Sequence, residues 1–310
     1  MASIGVKLAQ VRQRLWPVLR ALLLATITLG AGTWLIGSHL TRPAPSPVGK
    51  PPPAVESFEL DSAITGHRPG VIRGWQMTHV DAEGSVLTVH GLRANRRAMW
   101  PRMQLFHHIG FDAYAIDLQA HGESDGDELS FGVFEAQGIR DAVARIAAHS
   151  PAPRVVVGIS LGGASALLAL PDLPADALVL EAVFKDLPSA IANRFESRFP
   201  GAGALAPLLT WQAEWRFGRA ARDISPVRAI KSARVPTLIL AGDADTRTTP
   251  EDTHALFAAA PPCKRVVWFE GAGHSDLYQF NQRLYSDVVT AFLRAASGGC
   301  HETTKGAPRS

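Results

Sequence analysis

Residues 55–297 predict an α/β domain, a mostly parallel sheet with helices on both faces, preceded by one N-terminal transmembrane helix. Three observations carry that prediction. From Val71 onward, short runs rich in Val, Ile and Leu alternate with stretches of helical period, the pattern of strands joined by helical crossovers. Val155-Val156-Val157-Gly158-Ile159-Ser160-Leu161-Gly162-Gly163 passes from β-branched residues through G-x-S-x-G into small residues, which reads as strand, sharp turn and helix. Ala21 to Leu40 contain no Asp, Glu, Lys or Arg, and about 20 helical residues at about 1.5 Å each reach across ~30 Å of hydrocarbon.

The charge distribution supports this division. The formal net charge is +3, yet residues 1–50 hold Lys7, Arg12, Arg14, Arg20, Arg42 and Lys50 with no acid, so residues 51–310 carry 3 − 6 = −3. The basicity belongs to the N-terminus, and nucleic acid is not an expected partner. Residues 1–20 read as a cytoplasmic basic segment and 21–40 as a signal anchor, with the membrane as its partner and the remainder of the chain extracytoplasmic. Cleavage near Gly30-Ala31-Gly32 is the alternative, which would make the domain secreted, but Trp34-Leu35-Ile36 continue the apolar run past that point. Six prolines between Thr41 and Pro53 predict an extended spacer over 41–54. A disordered tail is expected over 298–310. Cys263 and Cys300 are the only cysteines and are able to pair in an oxidising compartment; no zinc-type spacing is present, and no metal or cofactor is expected.

Taken in order, 71–80 and 85–90 read as strands with Asp81-Ala82-Glu83-Gly84 as the turn between them. Helices are expected over 95–109, where Met99, Met103, Phe106 and Ile109 share a face, and over 131–148, where Val133, Ile139, Val143 and Ile146 recur. A strand at 112–117 separates them. The Ser160 strand and helix come next, then a strand over 177–184. Residues 185–234 break the rhythm, after which strands at 237–241 and 265–269 alternate with helices at 250–259 and 277–296.

A serine that attacks an acyl carbonyl needs a base, an acid to orient the base, and N–H groups for the developing oxyanion. Each is available after a predicted strand, where an open parallel sheet builds its site. Ser160 stands at the apex of the turn. The base is His274, in Gly271-Ala272-Gly273-His274, and the acid is Asp245, with Asp243 and Glu181 as rivals. The oxyanion donors are the Leu161 N–H and one from His90-Gly91-Leu92-Arg93, namely that of Leu92, with His90 bracing the loop.

The order Ser, Asp, His along the chain, with HGLR at 90–93, DLQAHGES at 117–124, GISLGG at 158–163, GDAD at 242–245 and GAGH at 271–274, resembles the α/β-hydrolase superfamily over about 70–297. More closely, the chain is similar to its serine aminopeptidase and monoacylglycerol-lipase branch, whose D-x-x-G-H-G-x-S segment it keeps except for Ala120 in place of glycine. The resemblance implies that this segment is structural and that 185–234 is a short helical lid.

The lid carries Phe195, Phe199, Leu205, Leu208, Leu209, Trp211, Trp215 and Phe217, interleaved with Arg194, Arg198, Arg216 and Arg219. These apolar groups either pack the lid onto the body or line an acyl pocket for medium-chain esters. The expected function is a membrane-tethered serine hydrolase cleaving small-molecule carboxylic esters through an acyl-enzyme. The alternatives are a serine aminopeptidase-like peptidase, for which Glu196 and Glu214 would receive the substrate amine, an acyltransferase, and a tethered binding module with an inactive fold.

Overall fold

The computed structural model describes residues 2–63 and 69–296, so the tail expected over 298–310, with Cys300, lies outside the described residues. The chain divides between Thr41 and Arg42 into two compact units. The first is helix α1 (Ala2–Leu40). Its Leu15–Leu40 stretch, 26 residues at mean hydropathy 1.6, is long and apolar enough to cross a membrane, and only 6% of its apolar window is buried, unlike the core helix of a soluble domain.

The second unit runs β1 (Ala44–Pro45), β2 (Glu56–Ser62), β3 (Gly70–Met77), β4 (Ser85–Val89), α2 (Trp100–His108), β5 (Asp112–Ile116), β6 (His121–Gly122), α3 (Glu135–His149), β7 (Arg154–Ile159), α4 (Leu161–Leu168) and β8 (Ala177–Glu181). Four short helices follow where a lid is expected: α5 (Leu187–Glu196), α6 (Ala206–Thr210), α7 (Gln212–Phe217) and α8 (Pro226–Ala229). The chain then returns through β9 (Thr237–Gly242), α9 (Pro250–Ala259), β10 (Lys264–Phe269), α10 (Leu277–Phe280) and α11 (Gln282–Ala296).

Eight strands form one sheet in the order β10-β9-β8-β7-β4-β5-β3-β2. Pairing is parallel from β10 to β5, and antiparallel where β3 joins β5 and β2 joins β3. The period of two along each strand divides the core. Leu87, Val89, Val156, Leu178 and Ile239 face Ile139, Val143, Leu167 and Leu256 on one side of the sheet. Val86, Val155, Val157, Val179 and Leu238 face Met103, Phe106, Tyr285 and Val289 on the other. The parallel strands β4, β5, β7, β8, β9 and β10 therefore end on one edge, and the loops that leave that edge carry the chemistry.

Four expectations are corrected. The strands on either side of Asp81-Ala82-Glu83-Gly84 are not paired with each other; β5 lies between them. Every residue of β4 is buried, and a strand apolar on both faces belongs at the centre of a sheet, not in an edge hairpin. Helix α3 starts at Glu135 and not at residue 131, because Phe131 (φ 56°) and Gly132 (φ 109°) are left-handed and the Glu135 carboxylate instead collects the N–H groups of Ser130 and Gly132. The closing helix is two, broken at Asn281. The proline-rich stretch is not a free spacer: β1 pairs in parallel with β6, Val48 and Val55 are buried, and Arg97 Nη1 donates to the Val48 carbonyl at 2.8 Å.

Candidate active site

Ser160 caps α4 directly after β7 with φ 49° and ψ −109°, a left-handed conformation that costs a non-glycine residue energy and is held by its surroundings. What holds it is contact. A Cβ on Gly158 would come within 2.5 Å of Gly163 N, and one on Gly162 within 2.5 Å of the Val89 carbonyl oxygen. The elbow is pinned from the neighbouring strand by Ser160 N, which donates to the Glu181 carbonyl at 2.7 Å. The hydroxyl itself has no protein partner among the described residues.

Two strands away, Asp245 follows β9 and His274 follows β10. His274 Nδ1 lies 2.8 Å from Asp245 Oδ2, with the carboxylate side chain 1% exposed and the imidazole 23%. Asp245 Oδ1 accepts the N–H groups of Arg247 (2.7 Å) and Thr248 (2.9 Å), and Oδ2 accepts the Thr248 hydroxyl at 2.5 Å. Burial opposes the charge on Asp245, but His274 and the Thr248 bonds outweigh it and hold the carboxyl below its usual range. An ionised acceptor at Nδ1 selects the imidazole tautomer whose Nε2 is free to take a proton. Nε2 bonds to no described residue, Ser160 included.

The rivals to Asp245 do other work. Asp243 is exposed and accepts the Gly271 N–H at 2.7 Å, tying the two loops together. Glu181 is wholly buried and belongs to a network under the site. Its oxygens accept Arg102 Nε at 3.0 Å and Nη2 at 2.6 Å, and the Tyr285 hydroxyl donates to it at 2.5 Å. The same guanidinium reaches Asp276, just past His274, at 2.9 and 3.1 Å. One arginine thus joins the strand end that pins Ser160 to the loop that carries His274. Arg102, Tyr285 and Thr248 were absent from the sequence-based candidates.

The Leu161 N–H opens α4, and among the described residues neither it nor the Leu92 N–H has an acceptor. Gly91 lies against the nucleophile loop: a Cβ there would be 3.7 Å from Ser160 Cβ. His90 is fully buried, with Nδ1 2.7 Å from the Gly91 carbonyl, and Nε2 accepts the Leu118 N–H at 3.0 Å. Burial first, and His121 second, push its pKa down to about 3. A neutral His90 with its proton on Nδ1 fixes the Gly91–Leu92 peptide by its carbonyl, and the planar trans peptide then fixes where Leu92 N–H points. In the following segment, Ala120, which replaces the expected glycine, has φ 58°. Gly122 is needed there, since a Cβ would meet the Asp117 carboxyl at 2.2 Å. Among the described residues, no group of three or more His, Cys, Asp or Glu side chains is arranged to hold a metal ion.

The lid packs only in part. Phe217 is buried, edge-on to Phe131 and Phe134, whereas Phe199, Leu205, Trp211 and Trp215 are exposed.

The model of the alpha/beta hydrolase family matches residues 86–287. Among curated relatives, the uncharacterised protein YqkD of Bacillus subtilis is 26% identical over 230 residues, covering 72% of this chain and 75% of that one. The uncharacterised protein YfhR of Salmonella typhi is 27% identical over 230 residues, covering 70% and 73%. Among solved structures, an esterase of Pyrococcus furiosus superposes with TM-score 0.66 at 20% identity, covering 82% of this chain and 98% of its own. An esterase of Exiguobacterium antarcticum gives 0.56 at 16%, covering 76% and 100%. At these identities the structural matches establish the fold.

Proposed function

The chain belongs to the alpha/beta hydrolase family, and from that premise we propose that it is a membrane-tethered serine hydrolase that cleaves carboxylic esters through Ser160, His274 and Asp245. The observation that carries this reading is the pairing of Asp245 with His274 Nδ1 at 2.8 Å, on the sheet edge where Ser160 stands at φ 49°. Ser160 Oγ attacks the acyl carbonyl while His274 Nε2 takes its proton. The Leu161 and Leu92 N–H groups receive the oxyanion, each being worth about 3 kcal/mol in the transition state. His274 returns the proton to the leaving alcohol, and water repeats the cycle on the acyl-enzyme. Hydrogen bonds between nucleophile and base are commonly long without substrate and tighten when it binds.

Of the two lid carboxylates that a peptidase would use, Glu214 is exposed, but Glu196 is occupied, which favours the ester reading. The Glu196 carboxylate accepts the Gly201 N–H at 2.9 and 3.0 Å and the Gly203 N–H at 3.1 Å, which leaves it to a lid turn and not to a substrate amine. The tether is supported by the apolar Leu15–Leu40 stretch and by the cations on its N-terminal side, which orient the domain outward.

Steady-state hydrolysis of 4-nitrophenyl esters tests the assignment. Ser160→Ala and His274→Ala are each expected to lower kcat by about 10⁴-fold or more, and Asp245→Asn by about 10⁴-fold. Asp243→Asn stays within a few-fold. An Asp243 variant more damaging than the Asp245 one would reverse the choice of acid. A chain-length series peaking at medium acyl length supports a lid-lined acyl pocket; best kcat/KM on acetate removes it.

A further inference from the structure

Residues 43–48 read Pro-Ala-Pro-Ser-Pro-Val, an alternation that decides which side of the strand carries donors. Along a parallel strand the N–H and C=O groups of every second residue point to the same side. Ala44 N donates to the Ala120 carbonyl at 2.8 Å, Ser46 N to the Gly122 carbonyl at 2.9 Å, and Val48 N to Glu123 Oε1 at 3.2 Å. The prolines thus fall at the positions that face away from the body, and Pro45 and Pro47 are exposed. A strand built this way pairs on one side only. Its partner is β6, within the 117–124 segment.

This strap reaches the Leu92 loop from both ends. On the upstream side, His121 of β6 is fully buried and packs edge-on to His90, with ring centroids 5.1 Å apart. His90 in turn holds the Gly91 carbonyl, at 2.7 Å, and so orients the Leu92 N–H. On the downstream side, Ser46 Oγ accepts from Asn95 Nδ2 at 2.9 Å, and the Val48 carbonyl accepts from Arg97 Nη1 at 2.8 Å. Asn95, just past Leu92, caps the helical turn Arg96–Met99 by accepting the Arg97 N–H at 3.0 Å. Two carboxylates join the two ends. Glu123 accepts from Val48 N and, at 2.5 Å, from Arg96 Nη2. Asp117 accepts the N–H groups of Arg96 at 2.6 Å and Glu123 at 2.8 Å. Leu92 therefore sits between two anchors, and both are fastened to residues 44–48.

We propose that residues 44–48 are a positioning strap for the oxyanion loop, so that the chain linking the apolar helix to the body also sets the catalytic rate. Ser46 is its central positioning residue, acting on the Leu92 N–H through Asn95 and through β6. This rests on the reading of Ser160 as nucleophile and of Leu92 N–H as an oxyanion donor. Release of the domain by a cut at Gly30-Ala31-Gly32 would then spare activity, whereas a cut within 42–48 would lower it.

The test assays the full chain in its membrane fraction on 4-nitrophenyl butyrate, with active sites counted by fluorophosphonate labelling run to completion, so that unfolded molecules drop out of kcat. Ser46→Ala, which frees the Asn95 amide, is expected to lower kcat per labelled site about three- to tenfold while KM stays within about twofold. Ser46→Thr keeps the hydroxyl and is expected to stay within about twofold of wild type in both. Ser46→Pro also removes the N–H given to Gly122 and is expected to lower kcat by about 30-fold or more, with labelling slowed in step. A strap that only stabilises the body would move the urea midpoint and the number of labelled sites but leave kcat per site unchanged, and that result overturns the proposal. Ser46→Thr no better than Ser46→Ala overturns it as well. Labelling that survives Ser160→Ala overturns instead the nucleophile on which it rests.

Discussion

Ser160, Asp245 and His274 are each set by contacts that differ in how far a reader of the chain can foresee them. The elbow is legible because two glycines leave no room for a Cβ, at 2.5 Å from neighbouring backbone in both cases. Thr248 is not legible, because its hydroxyl matters only through the direction it takes, 2.5 Å from Asp245 Oδ2. His90 is recognisable as a brace, but its charge state follows from burial. At the residue scale this gives a pH prediction. The native pKa of about 3 lies below the ordinary histidine value of 6.5, so between them the unfolded chain binds a proton that the native one refuses. The stabilisation from neutral His90 is complete above about pH 6.5 and is lost as pH falls toward 3, at up to about 1.4 kcal/mol per unit. Urea midpoints at pH 6.5, 5.5 and 4.5 are expected to fall steeply for wild type and less steeply for His90→Asn. A variant with the wild-type slope would contradict the buried neutral histidine.

Elements were legible where hydrophobic period decides them and obscure where partners are distant. The Ser160 strand and helix and the parallel strands toward β10 follow from pattern. Strand β2 was missed because Glu56-Ser57-Phe58-Glu59-Leu60-Asp61-Ser62 places acids on its outer face and offers few β-formers. The hairpin expected around residues 81–84 failed because adjacency in sequence is a weaker guide than burial on both faces. The Arg102 network joins residues 79 and 174 positions apart, and no local pattern reports that. Arg102 is fully buried with Glu181, so Arg102→Met leaves a carboxylate without its cation and is expected to destabilise by about 3–5 kcal/mol. Tyr285→Phe removes one bond to the same oxygen, at about 1–3 kcal/mol. Denaturant midpoints measure both. The double variant Arg102→Met/Glu181→Gln is expected to recover part of the loss, and an Arg102→Met cost under about 1 kcal/mol would show that the network carries little.

For the molecule as a whole, an apolar helix with cations before it precedes a hydrolase-fold domain of net negative charge. Both features can be read from composition. What composition conceals is that the proline-rich stretch belongs to the domain, with Ala44 N donating to the Ala120 carbonyl at 2.8 Å, so a boundary drawn at residue 55 would remove part of the body. The full chain is expected in the membrane fraction after a high-salt wash, and a chain beginning at Arg42 in the soluble one; a full chain released by salt would contradict the tether. The central claim is an activated Ser160, and labelling with a fluorophosphonate probe tests it most directly. The account predicts that the membrane-bound wild type is labelled at Ser160, that Ser160→Ala is blank, and that His274→Ala reacts slower by orders of magnitude. A folded wild type that stays unlabelled, or carries the label on another residue, would contradict it.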